Sequence, residues 1–91
     1  MVENVFPISE IITVAKEYDF YTVFGDGNPA TFIRLRATLA CSLEIFFDDM
    51  NNYVTIPEGL STNAPLIIRE KVRKLRITPT ASTTVTGNAM R

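Results

Sequence analysis

At 91 residues the chain suits one small domain, and its net charge of −1 gives no global positive field to attract nucleic acid. One cysteine and no histidine exclude an intrachain disulfide, a cysteine-based zinc cluster and the usual thiol–imidazole catalysis. The hydrophobic fraction of 46%, with six Phe and three Tyr, is ample for a core but comes without covalent staples. That combination favours an oligomer or a partner-bound subunit.

Residues 1–9 read as an N-terminal arm, apolar through Val5 and Phe6 and interrupted by Pro7. They carry no positive n-region, so no signal peptide is expected, and nothing is long enough to span a bilayer. Residues 10–91 read as one β-sandwich domain. Ser9 to Lys16 is ambiguous between a short capped helix and a strand through Ile12-Thr13-Val14. The β-branched run, and Phe20-Tyr21-Thr22-Val23-Phe24 after it, tip the reading toward strands. Gly25-Asp26-Gly27-Asn28-Pro29 is the strongest turn in the chain, because glycine and asparagine tolerate positive φ.

From Thr31 to Asp48 the chain alternates without losing phase. The odd positions, Ile33, Leu35, Ala37, Leu39, Cys41, Leu43, Ile45 and Phe47, are all apolar, and most even positions are polar. A period of two places one set on a buried face and the other on an exposed one. A single strand of that length would be unusual. A hairpin through Thr38-Leu39-Ala40 would set Ile33 against Ile45 and Leu35 against Leu43, with Arg34 opposite Glu44 and Phe32 opposite Phe46. Thr-Leu-Ala has no turn former, so a bent, bulged strand is the alternative.

Asp48 to Asn52 is a turn, and Tyr53–Ile56 a short strand ended by Pro57-Glu58-Gly59. Leu60 to Asn63 reads as a loop. Strands over Pro65–Arg69 and Val72–Thr78 flank a Glu70-Lys71 turn, with an amphipathic helix as the competing reading. Thr80-Ala81-Ser82 then turns into a last hairpin strand, Thr83–Thr86, and Gly87 begins a frayed end. Seven or eight short antiparallel strands without a long helix describe an all-β sandwich or a partly open barrel.

Candidate chemistry is sparse. Cys41 lies on the apolar odd face and reads as a buried small hydrophobe. Asp48, Asp49 and Asn51, or Asp26 and Asn28, carry oxygen ligands suited to Ca²⁺. Neither stretch has EF-hand spacing, so ordinary turn chemistry is the preferred reading. The run Arg69, Lys71, Arg73, Lys74, Arg76 is interrupted by Glu70 and lacks interleaved aromatics, which suits a solvated face better than a nucleic-acid site. Gly25-Asp26-Gly27 lacks the later glycine and the lysine of a phosphate cradle. No cofactor and no catalysis are expected. Phe32 and Phe46 are the two large apolar residues out of phase, so they are candidate contacts, together with Val5, Phe6, Arg34 and Glu44.

The series Arg34-Leu35-Arg36-Ala37, Leu43 to Asp49, Ile56-Pro57-Glu58-Gly59 and Leu75-Arg76-Ile77-Thr78, ending in Thr83-Thr84-Val85-Thr86-Gly87, resembles small tailed-phage virion proteins. The resemblance implies a non-enzymatic β-sandwich subunit that decorates or stabilises a capsid, or builds a head fibre or tail. Its partners would then be identical copies and a major capsid or other virion protein, without nucleic acid or membrane. It would be made in the host cytoplasm and end in the virion. A carbohydrate- or receptor-binding β-module, with Tyr53 as its stacking residue, is the alternative.

Overall fold

In the computed structural model, which describes residues 5–60 and 64–91, the long alternation keeps its phase but not its sheet. Eight strands form two four-stranded antiparallel sheets. They are β1 (Val5–Ile12), β2 (Lys16–Asp19), β3 (Phe32–Ala37), β4 (Cys41–Phe47), β5 (Val54–Leu60), β6 (Leu66–Ile68), β7 (Val72–Pro79) and β8 (Thr83–Met90). Sheet A runs β1-β8-β3-β6 and sheet B runs β2-β7-β4-β5. Each strand of one sheet therefore matches a sequence neighbour in the other, and only β4–β5 is a hairpin within a sheet. This is the strand order of a jelly roll, an eight-stranded double-sheet sandwich.

The expected hairpins are corrected accordingly. Residues 38–40 do connect two strands, but they arch from sheet A to sheet B, so β3 and β4 do not pair. Ile33, Leu35, Ala37, Cys41, Leu43 and Ile45 are all buried, as the alternation demands, whereas Leu39 at the arch is exposed. Arg34 lies opposite Asn88 and Ile67 rather than Glu44, and Phe32 opposite Met90 rather than Phe46. The strands flanking Glu70-Lys71 exist, yet β6 belongs to sheet A and β7 to sheet B. Leu60 ends β5, while residues 61–63 of the expected loop lie outside the described residues.

The arch at 38–40 needs no turn former because a neighbouring arch satisfies it. The Leu39 N–H donates to Thr83 Oγ1 (3.0 Å), the Thr38 N–H donates to the Thr84 carbonyl (3.0 Å), and the Thr84 N–H donates to Thr38 Oγ1 (3.0 Å). The two hydroxyls lie 3.1 Å apart. Thr83 is the buried polar side chain of the core, and these bonds are why burial is tolerated.

Both ends of the chain are stronger elements than the sequence suggests. Val5–Ser9, expected within an arm, belongs to β1 and is laddered to β8 from Val5–Met90 to Ile12–Thr83. Met1 to Asn4 lie outside the described residues. Gly87, expected to begin a frayed tail, sits inside β8, which is held on both sides by β1 and β3. Its φ of +150° and the missing Cβ are both used: a methyl there would stand 1.9 Å from the Arg34 carbonyl oxygen.

Phe20–Phe24, expected as a strand, is a one-turn α-helix, α1. Asp19 caps it by accepting from the Tyr21 N–H (3.1 Å), and Gly25, at φ +78°, returns its N–H to the Tyr21 carbonyl (3.0 Å). The i, i+4 spacing puts Phe20 and Phe24 on one face, where both are buried with ring centroids 6.1 Å apart. Local β-propensity loses here to two caps and two buried aromatic rings.

Gly87→Ala is expected to cost about 2–3 kcal/mol, because the methyl meets backbone that cannot swing aside. Chemical denaturation would measure it; a wild-type midpoint would mean that β8 bends freely at this point. Thr83→Val keeps the shape but strands the Leu39 N–H, and a loss of about 1–3 kcal/mol is expected by the same measurement.

Candidate functional site

Strand edges are blunted throughout. The edge strands β1 and β5 carry Pro7 and Pro57, and the other two, β2 and β6, are four and three residues long. Proline and shortness both deny a template to an incoming strand, so association by edge pairing is disfavoured and the outer faces remain.

The outer face of sheet B carries its own ion pairs. Register sets Glu17, Arg76 and Glu44 in one row across β2, β7 and β4. Arg76 reaches Glu44 at 3.4 Å and Glu17 at 3.6 Å, and its guanidinium lies 4.0 Å from the centre of the Tyr53 ring. Tyr53 donates its hydroxyl to Glu17 and takes the edge of Phe46 at 5.5 Å. A β-bulge between Phe46 and Phe47 inserts Arg73 into the ladder. Arg73 stacks 4.8 Å from Tyr21 and 5.4 Å from Phe46, and Tyr21 donates to Asp48. Every ring on this face has a cation or a second ring against it.

The outer face of sheet A is built differently. Its rows read Val5, Met90, Phe32; then Pro7, Asn88, Arg34, Ile67; then Ser9, Thr86, Arg36. Arg34 and Arg36 are exposed, and Arg69 beyond β6 lies 5.3 Å over Phe32. Ile11 is 69% exposed and Ile67 47%. Among the described residues this face carries no carboxylate. Arginines interleaved with exposed apolar groups, and without an ion pair among the described residues, form a composition suited to a protein interface.

The residues expected to form contacts are thus divided. Val5, Phe32 and Arg34 share the outer face of sheet A, whereas Phe46 and Glu44 belong to the network on sheet B. Phe6 does not present itself for contact, since it turns inward, packs against the core and meets the Tyr18 ring at 6.1 Å. The basic run is also split: Arg69 borders sheet A, and Arg73, Lys74 and Arg76 lie on sheet B. The contact of Arg73 with Tyr21 is not legible in the sequence, because a bulge has no signature in this stretch.

Asp48 to Asn52 form the turn between β4 and β5. The Asp48 N–H bonds the Lys71 carbonyl (2.9 Å) and the Met50 N–H the Phe47 carbonyl (3.1 Å), which fixes the turn from both sides. With its carboxylate taking the Tyr21 hydroxyl, Asp48 acts here as a turn residue. Asp49 and Asn51 are exposed. Among the described residues no group of three or more His, Cys, Asp or Glu side chains is placed to hold a metal ion. Cys41 is buried, with its Sγ 3.2 Å from the Leu39 carbonyl, and burial pushes its thiol up.

All three tyrosines donate to carboxylates, Tyr18 to Glu10, Tyr21 to Asp48 and Tyr53 to Glu17. Burial and then Glu17 push Tyr53 up to about 12, burial and then Glu10 raise Tyr18 further, and the Asp48 bond raises Tyr21. A tyrosine raised on folding contributes stability that is complete below its ordinary value near 10 and is lost as pH climbs through the folded value. Glu17 behaves oppositely: the Tyr53 bond lowers it, so its contribution holds above the ordinary carboxylate range and fades as pH falls through the lowered value. An ultraviolet tyrosinate titration is expected to show all three hydroxyls ionising above about 10. A tyrosine of the folded protein titrating at its ordinary value would break this account.

Compared with protein-family models, with curated proteins and with solved structures, the chain matches none, so the functional reading stands on the fold and these two faces alone.

Proposed function

We propose that the protein is a non-enzymatic assembly subunit, of the small phage-virion kind that its sequence resembles. It docks through the outer face of sheet A onto a larger particle and associates with copies of itself. The observation that carries this reading is the arginine and aliphatic surface of Arg34, Arg36, Val5, Met90 and Ile67, without a carboxylate among the described residues, set against an opposite face where Arg76 is paired with Glu44 and Glu17. The jelly-roll framework by itself does not choose, since capsid subunits and lectins both use it.

The chemistry of the faces favours assembly over sugar binding. A glycan platform needs an aromatic ring with one face open. Tyr53 has Arg76 over its ring and its hydroxyl engaged, Tyr21 is covered by Arg73, and Tyr18 is buried. The partner surface that fits sheet A is a protein offering carboxylates among apolar groups, because unpaired arginines gain most from a carboxylate brought to them.

In gradients of lysate from the cells that make it, the protein is expected to sediment with a large particle. Arg34→Glu/Arg36→Glu, which leaves the core untouched, is expected to shift it to the light fractions. A wild-type protein confined to the light fractions, or a double variant that still travels with the particle, would overturn the assignment of this face. Selective glycan-array binding would move the reading to the carbohydrate module.

A further inference from the structure

The two open sides of the sandwich are lined differently. Between β1 and β2 lies a groove of about 350 Å³ whose lining includes Glu10, Lys16 and Glu17, with Glu10 accepting from Tyr18 and standing 3.9 Å from Lys16. Between β5 and β6 the lining formed by the described residues is more apolar. A groove of about 420 Å³ opens there, lined by apolar side chains that include Phe47, Ile56, Leu66 and Ile67, with Arg69 and Glu70 bordering it. Beside it, sharing Phe47, projects the β4–β5 turn with exposed Asp49 and with Met50, which is 45% exposed. The backbone bonds of Asp48 and Met50 fix this turn in place, and Met50 is not among the side chains that line the groove.

From this juxtaposition we propose that a second copy of the chain fills the groove reciprocally. Met50 of each copy enters the other's β5–β6 groove, and Asp49 of each meets the other's Arg69. Three features point to a second copy as the occupant. The turn offers an apolar side chain next to a carboxylate, and the groove offers an apolar floor next to a guanidinium. Methionine, unbranched and adaptable, suits an irregular groove. Turn and groove are also neighbours on one molecule, so a two-fold axis seats both at once and closes the assembly as an isologous dimer. Glu70, which also borders the groove, would repel Asp49, so the incoming carboxylate takes the Arg69 side. The proposal rests on the assembly reading above and names the surface used between copies; it takes Ile67 from the border of sheet A and leaves Val5, Met90, Arg34 and Arg36 for the particle.

The test is sedimentation velocity of the full chain across a concentration series. The wild type is expected to form a dimer, with Asp49→Arg and Arg69→Glu each weakening it roughly tenfold or more. The two changes combined should recover much of the loss, because the pair is restored with its signs exchanged. Met50→Ser should weaken the dimer with no such rescue. Unchanged thermal melts would show that the variants stay folded. A wild type that remains monomeric at millimolar concentration overturns both this contact and self-association. A dimer indifferent to both charge reversals, or not rescued by the pair, overturns this contact but leaves self-association standing.

Discussion

Ile33, Leu35, Val85 and Ala89 on the inside of sheet A, and Leu43, Ile45, Leu75 and Ile77 on the inside of sheet B, belong to one shared core. Burying one side chain of the larger kind is worth about 1.5–3 kcal/mol, so neither sheet is stable without the other. With no disulfide available, this contact sets the rules for everything else. Connections must cross between the sheets while keeping the inward phase, and the arches must satisfy their own backbone groups. The Thr38–Thr83 pair does so at one end of the sandwich. At the other end α1 turns Phe20 and Phe24 inward, and Ala30 and Val72 exchange backbone bonds at 2.9 and 2.8 Å.

That dependence explains what could be read in the chain and what could not. Facing is a local property, so the alternation of Ile33 to Ile45 identifies inner and outer residues correctly. Pairing is a long-range property, and nothing in Thr-Leu-Ala distinguishes a hairpin from an arch whose hydrogen-bond partners lie at Thr83 and Thr84. Phe20–Phe24 failed for a related reason, since its aromatic and β-branched residues favour a strand until Asp19 and Gly25 are recognised as caps. Gly87 resembled a tail residue because its role, letting the Arg34 carbonyl approach, depends on a neighbour more than fifty positions away. The candidate contacts divided in the same way. Phe32 and Phe46 are both outward, as the broken phase indicates, but on opposite sides of the molecule.

The outer faces show two solutions to exposed charge. On sheet B, Arg76 is placed against Glu44, Glu17 and the Tyr53 ring, and Arg73 against the Tyr21 and Phe46 rings. Exposed ion pairs of this kind add little stability one by one, and their effect here is to occupy the surface. On sheet A, Arg34 and Arg36 are exposed and have no ion pair among the described residues. The chain's near-zero net charge conceals this separation: it argues against a global positive field but is silent on how charge divides between two faces.

The position of β8 bears on how the molecule is made. It is the last strand in the sequence, yet it lies between β1 and β3, which have no ladder with each other. Until residues 83–90 have left the ribosome, the strand expected to hold the first segment is missing, and β1 can only wait. Sheet B has no such gap, because all of its strands precede β8. Synthesis thus imposes an order: every strand of sheet B is present before β8, yet neither sheet gains its stable partner until β8 completes sheet A. Until then the inner faces of both sheets are exposed to other chains, so the period most open to aggregation is the interval before β8 arrives.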